Sequence, residues 1–219
     1  MSALPKWSGP ILFSVDPGVT GAVVVIDLRG GELIAVEDLP IDRAPKAGGG
    51  VSTRLSAAAF GAFVRDWVEA AAPHKAEAVF ERVHAMPTSG ASAMLSFGRS
   101  AGIVEGVFGA LSVPYQEVSN AVWSRVVGLP KKGPDDDKRA KKDAARARAM
   151  RLWPGSAAYF ARKKDDGRAD AALMGWAVWR TLGTLHGARP AALSANEAAP
   201  PDELLQLMLT GPAGRDAGD

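Results

Sequence analysis

The sequence predicts an α/β fold in which one mixed sheet of five strands, the first three an antiparallel meander, carries helices on its faces. Three short apolar runs near the N-terminus are separated by turns that contain glycine, which is typical of a meander. Two later strand-like runs alternate with helical segments, and such alternation is typical of α/β domains. The five runs are residues 11–15, 22–26, 32–36, 77–80 and 113–118.

Helical spacing accounts for most of the remaining chain, because apolar residues recur there at steps of three and four. The predicted helices are residues 55–68, 89–111, 120–127, 138–153 and 168–182. The segment at residues 45–50, PKAGGG, predicts a loop with nothing to hold it rigid.

A chain of 219 residues is long enough to bury a core of its own. We expect an N-terminal extension at residues 1–10 and one domain over residues 11–186. Residues 187–219 are rich in Ala, Pro and Gly and predict a tail, in which residues 202–209 are apolar enough to form one short helix.

Composition excludes several classes of protein. The chain has no Cys, which excludes disulfides and thiolate zinc sites and is typical of a cytoplasmic protein. Its three histidines, at positions 74, 84 and 186, lack metal-ligand spacing. No apolar run approaches the roughly 18 residues of a membrane span, and the first residues lack the apolar core of a signal peptide. We therefore expect neither a membrane partner nor export.

Acidic residues stand where predicted elements meet. Asp16 follows the first strand directly, Glu81 follows the fourth, and Asp165, Asp166 and Asp170 lie at the start of the last helix. Neighbouring strands that point the same way bring their ends to one edge of a sheet, and residues four apart share a helix face. We therefore expect three or four carboxylates to meet at one end of the sheet.

Clustered carboxylates repel one another when ionised, and a divalent cation relieves the repulsion. Oxygen-only ligands favour Mg²⁺ or Mn²⁺ over zinc, and such ions activate water for phosphodiester hydrolysis. The pattern thus predicts a nuclease site. Each acid also has a plainer interpretation: Asp16 could form a turn, Asp165 or Asp166 could cap the helix, and Glu81 could pair with Arg82.

Four segments together resemble one family. DPGVTGAVVVID, FERVHAMPTSGASAMLSFGRSAG, KKDAARARA and DDGRADAALMGWA are similar to segments of the RuvC-like Holliday-junction resolvases, in particular the branch found in phages and in bacterial genomes that carry phage-like genes. The resemblance extends over about residues 12–182. It implies an RNase H-like fold, a homodimer, and Mg²⁺-dependent paired nicking of four-way DNA junctions in a bacterial cytoplasm or a phage-infected host, without a small-molecule cofactor.

The resemblance also implies roles for single residues. Asp16, Glu81 and Asp170 match the first, second and final catalytic acids, which are also the metal ligands. The acid before the final one is Asp166, with Asp165 as the alternative, and Lys142 matches the active-site lysine. The sequence departs from the family at Arg82, where Gln is usual, and at Ser124, which follows Trp123 where Lys is usual.

The predicted helix at residues 138–153 carries seven Lys and Arg side chains against one acid, Asp143. Such a helix beside a carboxylate site is suited to neutralising DNA phosphates, although a charge run can also be a plain solvated face. His84 and Met86, on the loop after Glu81, could wedge into an opened junction or belong to an ordinary loop. The predicted phosphate-binding residues are Lys131, Lys132, Lys138, Lys141 and Arg146.

The predicted helix at residues 89–111 is rich in Gly and Ala, which permits close approach of a second copy or plain packing on the sheet. A twofold dimer would present two sites to strands of equal polarity. Three other functions remain open on the sequence alone. They are a nuclease for flaps, forks or other branched nucleic acid, a catalytically inactive junction-binding protein, and an ATPase or kinase of the actin-like fold.

Overall fold

The structure, a computed structural model, describes residues 7–45, 48–82, 90–130 and 138–185, without the side chains of Lys138 and of residues 182–185. The strands are β1 (Ile11–Val15), β2 (Ala22–Asp27), β3 (Leu33–Asp38), β4 (Ile41–Pro45), β5 (Val51–Leu55), β6 (Ala76–Glu81) and β7 (Tyr115–Val118). The helices are α1 (Ala57–Ala71), α2 (Ala91–Ala110), α3 (Asn120–Val126), α4 (Lys138–Leu152), a 3₁₀ segment (Pro154–Phe160) and α5 (Asp166–Leu185). The predicted tail and the first six residues of the predicted extension lie outside these ranges.

Five strands form one mixed sheet in the order β3-β2-β1-β6-β7. β1, β2 and β3 pair antiparallel as a meander, whereas β6 joins β1 in parallel and β7 joins β6 in parallel. Helices cover both faces, which explains why β1 and β2 are buried along their whole length and lack the alternation of a half-exposed strand. The predicted fold class is confirmed.

A second, two-stranded sheet that the sequence did not predict flanks the predicted loop at residues 45–50, of which the structure describes residues 48–50 as a turn. β4 and β5 pair antiparallel, with Ile41 opposite Leu55 and Pro45 opposite Val51. Gly49 and Gly50 have φ values of +88° and +84°, which glycine adopts without strain, so they suit the reversal between the strands. Most of the hairpin is exposed, so its sequence lacks the alternation of apolar and polar residues that would predict strands.

The sheet separates two apolar clusters. On one face Leu12 and Val24 pack in the same cluster as Leu173 of α5. On the other face Phe13 packs with Phe108 of α2, with ring centroids 5.6 Å apart. The face that carries α5 is the one that positions the acidic residues, since α5 begins at Asp166.

Helix α5 approaches the sheet closely at Gly175. A Cβ atom at this position would lie 2.6 Å from Ile26 Cδ1 and 2.7 Å from Ser14 Cβ. One turn earlier, the Ser14 hydroxyl donates a hydrogen bond of 2.6 Å to the Ala171 carbonyl. Gly175 and Ser14 therefore fix the height of α5 above β1.

We expect Gly175→Ala to lower the free energy of unfolding by about 1–3 kcal/mol, because the added methyl overpacks the α5–β1 contact. Urea denaturation measures this change. Gly61→Ala on α1 is the matched control, since a Cβ there would meet Val107 Cγ2 at an ordinary 3.7 Å. The control should be neutral or stabilising by up to about 1 kcal/mol. Equal effects of the two changes would show that α5 does not depend on close approach.

Candidate active site

A tight turn after β1 positions Asp16. The Asp16 N–H donates to the Ala22 carbonyl at 3.0 Å, and the Gly21 N–H donates to the Gly18 carbonyl at 2.9 Å. A side chain at position 21 would overlap the Asp16 carbonyl oxygen, so only glycine fits there. Asp16 thus stands at the end of a buried strand, on a turn with little freedom to move.

The sheet register brings Glu81 beside Asp16. Val15 pairs with Phe80 in the parallel β1–β6 ladder, so the next residue of each strand, Asp16 and Glu81, emerges at the same edge. Arg82 does not pair with Glu81, because its Nε lies 3.4 Å from Glu117 Oε2. The alternative in which Glu81 serves as a surface ion-pair partner of Arg82 is therefore wrong.

The start of α5 completes the acidic group. A Cβ at Gly167 would lie 2.6 Å from the Thr20 carbonyl oxygen and 3.2 Å from Asp16 Oδ2, so this glycine lets the helix rest against the turn that carries Asp16. Asp166 and Asp170 flank Gly167 within the first turn and a half of α5. Asp166 is consequently close enough for its charge to raise the pKa of Asp16, and Asp170 is close enough for the charge of Asp16 to raise its own pKa.

The carboxyl groups are strongly coupled. Burial raises the pKa of Asp16 from 3.8 to about 7, and the charges of Glu81 and Asp166 add to this effect. Burial raises the pKa of Asp170 to about 8, and the charges of the other three carboxylates add to it. Because each ionised carboxylate opposes ionisation of the next, the group retains protons at neutral pH unless a cation compensates its charge.

Lysine 142 supplies one such cation. Its Nζ donates a hydrogen bond to Asp166 Oδ2, and this bond, with the nearby carboxylate charges, raises the pKa of the lysine. The Lys142 side chain is 58% exposed, so it reaches the acidic group from solvent. Asp166 therefore already holds a positively charged partner.

The structure separates the roles of Asp165 and Asp166. Asp165 is buried and accepts hydrogen bonds from the Arg162 backbone N–H at 2.9 Å and from Arg162 Nη2 at 2.8 Å. Burial alone would raise the pKa of Asp165, but these bonds hold it below its usual value. Asp165 thus belongs to the helix start, whereas Asp166 contacts Lys142 and acts on Asp16.

Glu81 has two further partners, both on α3. Asn120 Nδ2 donates to Glu81 Oε2 at 3.1 Å, and Trp123 Nε1 donates to the same oxygen at 3.2 Å. Sequence reasoning noted Trp123 only through the family resemblance and missed Asn120. The available signal was that Asn120 begins a helix right after β7, the strand that pairs with β6.

The acidic group has the donor chemistry of a Mg²⁺ or Mn²⁺ site, since all its ligand atoms are carboxylate oxygens. In the ranges that the structure covers, however, no three acidic or histidine side chains are arranged so that they could hold a metal ion. Beside the acids opens a cavity of about 190 Å³, lined by Asn120, Trp123, Leu129, Lys141, Lys142, Ala145 and Asp170.

The predicted DNA-binding residues are distributed unevenly. Lys141 Nζ donates to Asn120 Oδ1 at 3.2 Å and so faces the acidic group. Arg146 is paired with Asp143, donates to the Ala161 carbonyl at 3.4 Å, and has only 11% of its side chain exposed. The other predicted contacts lie outside the described side chains; they are His84, Met86, Lys131, Lys132 and Lys138.

Among the helices that the structure describes, none has the length and apolar character that a membrane crossing requires.

Comparison with solved structures shows which known fold this chain resembles. RuvC of T. thermophilus in complex with a Holliday junction substrate aligns with a TM-score of 0.51 at 12% identity, over 81% of this chain and 96% of that one. The chain has a RuvC-like fold. A second structure, Thermus thermophilus RuvC, aligns over 81% of this chain and 97% of that one at 12% identity, with a TM-score of 0.42.

No protein-family model and no curated protein matches the sequence. The RuvC-like fold is therefore carried by the path of the backbone, while the chemistry of the site must be argued from this chain's own residues. Those residues lie at the ends of the two central parallel strands, β1 and β6, and at the start of the helix that covers them.

Proposed function

We propose that the protein is a metal-dependent endonuclease that cuts branched DNA, and four-way junctions in particular, by paired hydrolysis of phosphodiester bonds. One observation carries the proposal. Asp16 and Glu81 emerge side by side at one edge of a RuvC-like sheet, and α5 brings Asp166 and Asp170 to them, so that the pKa values of the partly buried Asp16 and Asp170 are raised to about 7 and about 8 by desolvation and by neighbouring acids. Perturbed, mutually coupled acids of this kind are typical of catalytic sites.

With a rearrangement of their side chains, Asp16, Glu81, Asp166 and Asp170 would hold the metal, which we propose is Mg²⁺, with Mn²⁺ as a substitute. A divalent ion bound there supplies a Lewis acid for the phosphoryl oxygen and lowers the pKa of the attacking water. Before binding, protons occupy Asp16 below about pH 7 and Asp170 below about pH 8, and Lys142 neutralises Asp166. Metal binding therefore competes with those protons and with the lysine.

Lys142 has a second possible partner besides Asp166, namely a substrate phosphate. The cavity beside Asp170 is lined by Lys141 and Lys142 as well as by apolar side chains, so a substrate phosphate next to it would meet an ammonium group. A fixed cation there offsets the negative charge that develops in phosphoryl transfer. In this proposal Lys142 moves from the Asp166 carboxylate to the phosphate as metal and DNA bind.

A homodimer is part of the proposal, and helix α2 offers a surface for it. Gly98, Gly102 and Gly106 lie four residues apart on an exposed side of α2, and a Cβ at each would meet no atom within 4 Å. Exposed glycines weaken a helix by about 1 kcal/mol each relative to alanine. Packing within one chain does not require glycine at these three positions, whereas close approach of the α2 helix of a second copy would require it.

We expect Gly102→Leu to convert a dimer into monomers, because the new side chain fills the space that the partner helix needs. Sedimentation velocity measures the change, and circular dichroism confirms that the helix content is retained. Ala58→Leu, on an exposed position of α1, is the matched control and should leave the dimer intact. A Gly102→Leu protein that sediments like the wild type would exclude α2 as the interface.

The proposed function is tested by incubating the protein and Mg²⁺ with labelled four-way junction, flap, fork and duplex DNA of matched sequence. We expect symmetrical nicks in opposite strands of the junction and little cutting of duplex. Preferential cutting of flaps or forks would keep the nuclease and change its substrate. Tight junction binding without cutting of any substrate, in Mg²⁺ or Mn²⁺, would indicate a catalytically inactive binding protein.

A further inference from the structure

The Glu81 carboxylate is held from one side only. Asn120 Nδ2 and Trp123 Nε1, both on α3, donate to the same oxygen, Oε2, at 3.1 Å and 3.2 Å. Among the residues that the structure describes, no hydrogen bond reaches Oε1. A carboxylate oxygen has about two lone-pair positions, so the two donors occupy Oε2 and leave Oε1 as the oxygen available to a further partner.

A third residue fixes the donor that Asn120 presents. Lys141 Nζ donates to Asn120 Oδ1 at 3.2 Å, while the amide nitrogen of the same side chain faces Glu81. A flipped amide would set its oxygen against the carboxylate and its nitrogen against the ammonium, and both contacts are repulsive. Lys141 therefore locks the amide in the orientation that serves Glu81.

Trp123 gives the arrangement a rigid base. The indole is 1% exposed and belongs to the apolar cluster beneath α5, so its N–H cannot turn away from Glu81 without disturbing the core. Without these hydrogen bonds the glutamate side chain would be free to rotate about its own bonds. The two hydrogen bonds to Oε2 keep the side chain in place.

We infer that Asn120, Trp123 and Lys141 are positioning residues that hold Glu81 so that it offers a single oxygen, Oε1, to the metal. This inference rests on the proposed function. It assigns Lys141 a role different from the phosphate contact that its place in a basic helix predicts. Lys141 acts on the metal site through Asn120, and Lys142, its neighbour in sequence, acts on Asp166 directly.

The test is the affinity of the DNA-free protein for Mn²⁺, measured by calorimetry or by electron paramagnetic resonance. Partners that orient a metal ligand typically contribute 10- to 100-fold, so Trp123→Phe should weaken Mn²⁺ binding by roughly that factor. Trp153→Phe is the matched control, because it removes another buried indole hydrogen bond, the 2.9 Å bond to the Gly31 carbonyl, away from the acids. The control should bind Mn²⁺ like the wild type.

Two further variants separate positioning from folding and from DNA contact. Asn120→Ala removes a donor at a half-buried helix start and should weaken Mn²⁺ binding without loss of the core. Lys141→Met should weaken Mn²⁺ binding by the DNA-free protein, a readout that a residue serving only as a phosphate contact would not change. A Lys141→Met protein that loses junction affinity and keeps Mn²⁺ affinity would overturn its positioning role.

The outcomes also distinguish this inference from the proposal on which it rests. If the wild type binds Mn²⁺ and Trp123→Phe and Asn120→Ala bind it with the same affinity, the inference is overturned and the proposed metal site is not. Absence of Mn²⁺ binding by the wild type would overturn the proposed metal site and the inference with it.

Discussion

Asp16→Asn should reduce junction cleavage by roughly 10³-fold or more, because the metal ion that Asp16 would bind contributes several kcal/mol of transition-state stabilisation. The amide nearly preserves the shape of the side chain, so the β1–β2 turn and the contact with Gly167 should remain. Cleavage of a labelled junction under single-turnover conditions measures the loss. Asp66→Asn, which changes a carboxylate on α1 that pairs with Arg65, is the control and should cleave normally.

The same substitution should make the metal-free protein more stable at alkaline pH. The pKa of Asp16 is raised from 3.8 to about 7 on folding, so the folded state binds more protons than the unfolded state between these values. Protonation of Asp16 therefore contributes to the free energy of unfolding in full below about pH 4, and this contribution is lost as the pH rises through about 7. Asp170 extends the decline to about pH 8.

Thermal denaturation across this pH window, with a chelator present, measures the effect. We expect the wild type to lose stability as pH rises from about 4 to about 8, and Asp16→Asn to lose less. An Asp16→Asn protein with the pH dependence of the wild type would show that Asp16 is ionised in the folded state. If Asp16→Asn cleaved the junction at the rate of the wild type, Asp16 would not be a catalytic residue.

Lys142→Ala should lower the rate of the cleavage step by about 10²–10³-fold, as loss of a fixed group that stabilises developing charge does in other enzymes. Junction affinity should fall much less, because one exposed phosphate contact is a small part of an electrostatic interface. Rapid mixing gives the cleavage rate, and a binding titration in Ca²⁺ gives the affinity. Metal affinity should not fall, since Lys142 competes with the metal for Asp166.

Lys164→Ala is the matched control for this prediction. Lys164 is an exposed lysine just before α5, two residues from Asp166. It should show neither defect. Equal losses of rate and affinity in Lys142→Ala would reduce Lys142 to a plain phosphate contact, and a rate equal to that of the wild type would exclude it from the reaction.

The sheet and its acidic edge could be predicted because they depend on short-range signals. Glycines mark the turns of the meander, and buried parallel strands are continuous apolar runs. Once β1 and β6 are neighbours, the position of Asp16 after Val15 and of Glu81 after Phe80 places both acids at one edge.

Other features depend on contacts that sequence spacing does not encode. The choice between Asp165 and Asp166 rests on Arg162, which reaches Asp165 at 2.8 Å across a turn. Arg146 lies in a basic helix yet is largely buried beside Asp143, although a pair three residues apart on a helix is a known arrangement. The β4–β5 hairpin escaped prediction because exposed strands carry no apolar pattern.

The central claim is that the coupled carboxylates of β1, β6 and α5 form one metal site, and proton release on metal binding tests it most directly. Calorimetric titration of Mn²⁺ into DNA-free protein at about pH 7, in buffers of different ionisation enthalpy, counts the protons displaced. We predict that binding releases protons from Asp16 and Asp170, whose pKa values are about 7 and about 8, and that Asp16→Asn binds Mn²⁺ more weakly and releases fewer. Binding without proton release, or with the same affinity in Asp16→Asn, would contradict this account.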